Sequence, residues 1–101
     1  MDYSLKTTVV NSISSPKNIV ILCHGYGGDG NDISIVANYW KNFMPDTLFL
    51  CPNAPEICKV NPNGFQWFDL MDQTPEQILS KSLVAENKLN KLIDEVKDKN
   101  N

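Results

Sequence analysis

The segment from His24 to Gly30 has the composition of a loop that binds negative charge. It reads His-Gly-Tyr-Gly-Gly-Asp-Gly and holds four of the five glycines in the chain. An apolar run precedes it and a helical pattern follows, so backbone N–H groups and the positive end of the helix would face one point. Two groups commonly bind at such a point: a phosphate, and the oxyanion that forms when an acyl carbonyl is attacked.

Phosphate-binding motifs fit this loop poorly. No Gly-Lys-Ser or Gly-Lys-Thr follows it, as a P-loop would require. Residues 25–30 satisfy G-x-G-x-x-G by letter and lie between a predicted strand and a predicted helix, but a dinucleotide site also needs an acidic residue at the end of the next strand. Here that strand ends at 50–53, Leu-Cys-Pro-Asn, without a carboxylate. His24 at the strand end favours the oxyanion alternative.

The other groups of an acyl-transfer site are missing from this sequence. A serine nucleophile placed on a sharp turn between a strand and a helix lies in a G-x-S-x-G segment, and it works with a histidine base and an acid. None of the seven serines has glycines at those positions, and His24 is the only histidine. Ser34 falls in the predicted helix after the loop and Cys23 in a predicted buried strand, so neither is a credible partner for His24. We expect no intact active site within residues 1–101.

The three cysteines predict neither a disulfide framework nor a metal site. Their number is odd, and Cys51 and Cys58 are too far apart to resemble the ligand pairs of structural zinc. Cys23 and His24 are adjacent, and adjacent residues of a strand point to opposite faces. We expect buried thiols that act as small hydrophobes, with no metal and no cofactor.

The composition argues against binding to nucleic acid and to membranes. The 101 residues hold nine lysines and no arginine against twelve acidic residues, a net charge of −3, which disfavours binding to nucleic acid or to an anionic membrane. No apolar stretch approaches the roughly 20 residues that span a bilayer, and the N-terminus lacks the layout of a signal peptide. We predict one domain at most, located in the cytoplasm, with no nucleic-acid partner and no membrane span.

The apolar pattern predicts an α/β fold in which helices flank a mostly parallel sheet. Strands are predicted at 3–10, 19–23 and 47–51. The last two should be parallel neighbours, because both are buried-type apolar runs and a helix joins them. Residues 52–72 are predicted to be irregular. No strand follows the last predicted helix, so the predicted fold is incomplete.

Two helices are predicted, near 32–43 and near 75–97. Asn31 or Asp32 would cap the first, and Thr74 would cap the second together with Gln77. The second helix would bury one apolar face, made of Leu79, Leu83, Leu89, Leu92, Ile93 and Val96.

Three sequence blocks follow one another along the chain. Residues 19–30 combine an apolar strand with His-Gly-x-Gly-x-x-Gly, residues 50–56 contain Pro-Asn-Ala-Pro, and residues 64–69 end in Trp-Phe-Asp. In this order and at these spacings they resemble the carboxylesterase, phospholipase and acyl-protein thioesterase family of α/β-hydrolases. The resemblance covers essentially the whole chain but only the first half of the family's domain.

The resemblance implies roles for particular residues. The backbone N–H of Tyr26 would be one donor of the oxyanion hole, and His24 would be a structural residue of the loop rather than the catalytic base. The residues implied at the substrate are Gly25, Tyr26, Gly27, Trp67 and Phe68. Trp67 and Phe68 are at least as well explained as aromatic side chains that anchor a long loop on the core.

The same resemblance implies that 1–101 is a partial domain, because the family's serine, acid and base all come later. We therefore predict a truncated serine hydrolase that contributes the oxyanion-side loop and is inactive alone. Two alternatives stay open: a half-enzyme completed by a separate chain that carries the C-terminal half, and a non-catalytic module that binds an acyl group or an anion. The small-molecule partner would be an ester or thioester. Strand 19–23 would present an uncovered apolar edge.

Overall fold

The computed structural model describes residues 3–71 and 73–100. Five strands and two helices follow one another along these residues. They are β1 (Thr7–Val10), β2 (Asn18–Ile21), α1 (Gly30–Trp40), β3 (Thr47–Pro52), β4 (Glu56–Ile57), β5 (Phe65–Gln66) and α2 (Pro75–Lys99).

A three-stranded sheet with the order β1-β3-β2 forms the centre of the fold. β2 runs parallel to β3, with Ile21 opposite Leu50, which confirms the predicted parallel pairing. β1 joins the other side of β3 in the antiparallel direction, with Val9 opposite Leu50. β2 is therefore an edge strand in the described part of the chain, as the sequence predicted.

Alternating side chains of β3 build two apolar clusters on opposite faces of the sheet. Phe49 and Cys51 face α1 and pack with Ala37. Leu50 faces α2 and packs with Leu92. The sheet thus lies between one helix on each face, which confirms the predicted α/β architecture.

Helix α1 begins earlier than the sequence pattern predicted. Its N-cap is Asp29, whose carboxylate accepts the N–H of Asp32 at 2.7 Å, so the predicted caps Asn31 and Asp32 are wrong. The helix also ends at Trp40 rather than at residue 43, because the N–H groups of 43 and 44 both turn back to the Trp40 carbonyl. Gly30 as the first helical residue brings the start of α1 close to the glycine loop.

Helix α2 begins as predicted. Thr74 accepts the N–H of Gln77 while the Gln77 side chain accepts the N–H of Thr74, which completes a capping box. The buried face is shorter than predicted, since Leu79 and Leu83 are 62% and 51% exposed. The three buried residues of α2 are Ala85, Leu92 and Val96, and only the last two belong to the core cluster that contains Leu50 of the sheet.

Two other predicted boundaries change in the structure. β1 covers only 7–10, because Leu5 leaves the strand and packs against the core cluster of α2. β2 ends at Ile21, although the N–H of Leu22 still bonds to the Leu50 carbonyl. Cys23 therefore lies beyond the strand and is exposed, which corrects its prediction as a buried strand residue.

The prediction that residues 52–72 are irregular is wrong in part, and residue 72 lies outside the described residues. This segment contains an antiparallel pair in which Glu56 lies opposite Gln66 and Ile57 opposite Phe65. Each strand has two residues, too few for an alternating pattern to be read from the sequence. This hairpin lies against the glycine loop.

Candidate oxyanion site

The peptide group between Gly25 and Tyr26 is fixed by two contacts to its carbonyl oxygen. The Gly25 oxygen accepts the N–H of Gly28 at 3.1 Å, and the Nδ1 atom of His24 lies 2.6 Å from the same oxygen. In a trans peptide the C=O and N–H point in opposite directions, so the Tyr26 N–H is directed away from these two contacts. It meets no acceptor within residues 3–71 and 73–100 and is free to donate to a ligand.

His24 connects all three sequence blocks. Its side chain is buried, with 5% exposure, and its Nε2 atom accepts the N–H of Ala54 at 2.9 Å. The indole N–H of Trp67 donates to the His24 carbonyl at 2.9 Å, and the two rings stack with centroids 5.6 Å apart. Both ring nitrogens of His24 are engaged inside the fold, which is the geometry of a structural histidine.

The hairpin braces the far side of the glycine loop. The N–H of Gly27 donates to the Phe65 carbonyl at 2.9 Å, and the N–H of Phe65 donates to the Gly28 carbonyl at 2.8 Å. The Asn61 side-chain amide donates to the Gly27 carbonyl at 2.9 Å. Gly27 has a φ of +84°, a conformation that favours glycine. Sequence reasoning missed Asn61, which no local pattern identifies, and gave Phe65 no role of its own although it lies in the third block.

Asn53 fixes the start of α1 beside the end of β3. Its side-chain oxygen accepts the N–H of Gly30 at 2.7 Å, a group that has no partner within its own helix. A β-carbon at Gly30 would collide with the carbonyl of Cys51, so helix and strand approach as closely as a glycine permits. The Pro-Asn-Ala-Pro block was the signal for Asn53, although its role was not predicted.

The side chain of Tyr26 points toward Asp69 of the third block. The phenol oxygen lies 3.5 Å from the Asp69 carboxylate, which also accepts the N–H of Met71 at 2.9 Å and pairs with Lys59 at 3.3 Å. The Met71 N–H, and then Lys59, lower the pKa of Asp69. Partial desolvation, and then the neighbouring Cys58, raise the pKa of Tyr26, so its phenol stays protonated at neutral pH.

These contacts bring the residues of the three blocks together around one loop that exposes a backbone donor. A model of the Phospholipase/Carboxylesterase family matches residues 5–100. The chain belongs to this family. The family prediction and the α/β-hydrolase fold prediction are therefore confirmed.

Two relatives show how much of a longer protein of this family the chain corresponds to. It is 33% identical over 73 residues to acyl-protein thioesterase 1 of Schizosaccharomyces pombe, covering 69% of this chain and 32% of that protein. It superposes on the crystal structure of esterase PE8 with a TM-score of 0.84 and 33% identity, covering 93% of this chain and 45% of the esterase. The chain thus spans less than half the length of either relative.

Trp67 and Phe68 occupy different surroundings in this hydrolase-family chain. Trp67 contacts the glycine loop through His24, and it also lines a small cavity of about 120 Å³ with Phe68, Pro55 and Val84. The other predicted substrate residues, Gly25, Tyr26 and Gly27, do not line that cavity. Trp67 therefore lies between the two places: it contacts the glycine loop through His24 and shares the cavity with Phe68.

No nucleophile–base pair forms among the described residues of this family member. Ser34 donates to the Asn31 carbonyl at 2.6 Å, and both nitrogens of His24 have other partners. Desolvation raises the pKa of Cys51 to about 11 and also raises that of Cys23, so neither thiol is an activated thiolate at neutral pH.

The described residues contain neither a metal-binding cluster nor a membrane-spanning helix. Within 3–71 and 73–100, no group of three or more His, Cys, Asp or Glu side chains could hold a metal ion. Neither α1 nor α2 is both long and apolar enough to cross a bilayer.

Proposed function

We propose that this chain forms the oxyanion side of a serine hydrolase that cleaves carboxylic esters or thioesters. The observation that carries the proposal is the N–H of Tyr26, which has no acceptor within residues 3–71 and 73–100 and belongs to a peptide whose carbonyl makes two contacts. A donor fixed before the reaction stabilises the negative oxygen of a tetrahedral intermediate without having to reorganise. Membership of a phospholipase and carboxylesterase family supports this choice of substrate class.

The nucleophile and the base must come from polypeptide other than residues 1–101. These residues contain no G-x-S-x-G segment, and their single histidine is already bound at both ring nitrogens. The completing polypeptide could be a continuation of the same chain or a separate chain. Without it only an incomplete oxyanion hole remains, so we propose that 1–101 has no turnover alone.

The free edge of β2 is the surface to which we assign this completing polypeptide. β2 pairs with β3 on one side only, and an edge strand accepts a further strand through its unpaired backbone groups. Beside this edge, Ile19 and Ile21 line an open groove of about 510 Å³ with Ile93 and Val96 of α2. A chain that covers 45% of a solved esterase leaves ample polypeptide to fill it.

A non-catalytic anion-binding module is supported less well. The first turn of α1 would supply its N–H groups, but that of Gly30 is taken by Asn53 and that of Asp32 by Asp29. The carboxylate of Asp29 also places a negative charge where the anion would bind. The oxyanion assignment uses the Tyr26 N–H instead, which has no acceptor among the described residues.

A fusion protein tests the proposal. Residues 1–101 are joined to the later part of a related hydrolase that carries the G-x-S-x-G segment, and the product is assayed with a short-chain nitrophenyl ester and a fluorophosphonate probe. We expect the fusion to hydrolyse the ester and to be labelled, while 1–101 alone does neither. The same fusion with its nucleophilic serine replaced by alanine is the control.

Two outcomes would contradict the proposal. Stoichiometric labelling of 1–101 alone would show that one of its own serines is the nucleophile. A fusion that folds and is labelled, yet hydrolyses no ester or thioester, would show that this loop does not complete an oxyanion hole.

We further propose a cytoplasmic location. The three cysteines are free thiols, and unpaired thiols suit a reducing compartment. Cell fractionation with an antibody to the chain checks this, and recovery from a secreted fraction would contradict it.

A further inference from the structure

The hydrogen bonds around His24 determine which of its ring nitrogens carries the proton. The backbone N–H of Ala54 can only donate, so the Nε2 atom that faces it at 2.9 Å must be unprotonated. In a neutral imidazole the proton then lies on Nδ1. Nδ1 faces the Gly25 carbonyl oxygen at 2.6 Å, which can only accept. Both contacts are satisfied by the Nδ1–H tautomer and by no other neutral form.

The N–H at Nδ1 donates a hydrogen bond to the peptide group that carries the candidate oxyanion donor. The Gly25 carbonyl and the Tyr26 N–H belong to one planar group, so a bond that orients the first also orients the second. Gly28 supplies a second donor to the same carbonyl, at 3.1 Å. We propose that His24 is a positioning residue, whose Nδ1–H aims the Tyr26 N–H at the substrate oxyanion; this inference rests on the proposed function.

The surroundings of the imidazole keep it in this orientation. The side chain is 5% exposed, and the Trp67 ring stacks on it with a centroid distance of 5.6 Å. Rotation of the ring by half a turn about its Cβ–Cγ bond would break the bonds to both Ala54 and Gly25. His24 therefore couples the segment after β3 to the direction of one backbone N–H.

The tautomer can be measured without activity and without mutation. His24 is the only histidine, so a long-range ¹H–¹⁵N spectrum of the labelled 1–101 chain reports one imidazole. At pH 8.5 we expect the pattern of an Nδ1–H tautomer with an unprotonated Nε2. The pattern of an Nε2–H tautomer would overturn the proposal, whether or not the fusion protein is active.

Two substitutions separate the functions of the two nitrogens. His24→Asn places an amide donor near the position of Nδ1 and loses the acceptor at Nε2, whereas His24→Gln reaches the Nε2 position and loses the donor at Nδ1. In the active fusion we expect kcat to fall in both variants, and kcat of His24→Gln to be at least about tenfold below that of His24→Asn. KM should change much less, because a misplaced donor reduces the stabilisation of the transition state more than it reduces substrate binding. Equal losses, or a larger loss in His24→Asn, would show a purely structural histidine.

A failure of the proposed function is distinguishable from a failure of this inference. If the unmutated fusion has no turnover, the proposed function is wrong, and the Tyr26 amide resonance of the 1–101 chain then decides the positioning role. We expect His24→Gln to shift this resonance more than His24→Asn does, and the reverse order would overturn the inference. If His24→Gln does not fold, the tautomer of the unmutated chain decides alone.

Discussion

The side-chain oxygen of Asn53 lies 2.7 Å from the backbone nitrogen of Gly30 and accepts its N–H. This bond joins the segment after β3 to the first turn of α1, across 23 positions of sequence. Because α1 begins where the glycine loop ends, the bond also fixes one end of that loop. The Pro-Asn-Ala-Pro block therefore has a structural role that belongs to the candidate site.

Replacement of Asn53 by alanine should destabilise the chain. The Gly30 N–H would lose its partner in a part-buried position, which costs about 1–2 kcal/mol of unfolding free energy. Urea denaturation followed by circular dichroism measures the change. Asn53→Asp keeps an acceptor oxygen for the Gly30 N–H, so it should lose less stability than Asn53→Ala. Equal losses in the two variants would show that the hydrogen bond is unimportant.

Two glycines of the loop should respond differently to alanine. A β-carbon at Gly30 would collide with the Cys51 backbone, so Gly30→Ala should lower the free energy of unfolding by about 1–3 kcal/mol. A β-carbon at Gly25 meets nothing within 4 Å, so Gly25→Ala should change the unfolding free energy by less than about 0.5 kcal/mol. Thermal and urea midpoints of both variants test this contrast. It fails if Gly30→Ala is as stable as the unmutated chain.

The backbone of Tyr26 should matter more to turnover than its side chain. In the fusion protein, Tyr26→Pro removes the candidate donor and should lower kcat by about 10²-fold or more. Tyr26→Leu also removes the phenol but keeps the N–H, so it should be tolerated. Steady-state kinetics with the nitrophenyl ester compare the two, with unfolding midpoints to confirm that both fold. A large loss in Tyr26→Leu would assign the role to the side chain.

Stability should fall at acidic pH partly through Asp69. The Met71 N–H and Lys59 lower its pKa in the folded chain, so the folded state favours the carboxylate. This contribution is present above the usual aspartate value of 3.8 and is lost as the pH falls through the lower folded value. Asp69→Asn should flatten the decline of the unfolding free energy below about pH 4.

Urea titrations across pH 2–6 measure this dependence, with Asp46→Asn as the control. The Asp46 carboxylate makes no hydrogen bond or ion pair to the described residues. An identical acid profile for Asp69→Asn and the unmutated chain would contradict the prediction.

The free edge of β2 should make the isolated chain self-associate. Ile19, 38% exposed on this edge, borders the apolar groove beside α2. Ile19→Lys should reduce the fraction of oligomer seen by size exclusion with light scattering, because a charged edge resists strand pairing. Ile35 lies on α1 and is 71% exposed, so Ile35→Lys is the control for a general gain in solubility. Equal effects of both would argue against edge pairing.

The elements that sequence reasoning predicted correctly depend on short-range signals. The capping box of Thr74 and Gln77 joins residues three positions apart, and the start of α2 was accordingly right. The apolar runs predicted that β2 and β3 are parallel neighbours, because such runs suit strands of a parallel sheet. The spacing of the three motif blocks was enough to predict the family.

The burial of some residues was mispredicted, because it depends on which other elements pack against them in the folded chain. Leu79 and Leu83 have the helical spacing of a buried face, yet both are exposed and neither belongs to a core cluster of the described residues. Cys23 continues an apolar run, yet it lies beyond the last paired residue of β2, Ile21. Periodicity predicts which side of an element is apolar, but only tertiary packing decides whether anything covers it.

The sequence by itself determined the local elements, the family and the loop that carries the candidate donor. Only the tertiary structure decided the direction of that donor. His24 bonds to Ala54 across 30 positions, and Asn61 bonds to Gly27 across 34. Contacts at such separations leave no periodic trace in the sequence, because they depend on where the folded sheet brings two loops together. These distant partners hold the loop, and the Tyr26 N–H is left without an acceptor among the residues that the structure describes.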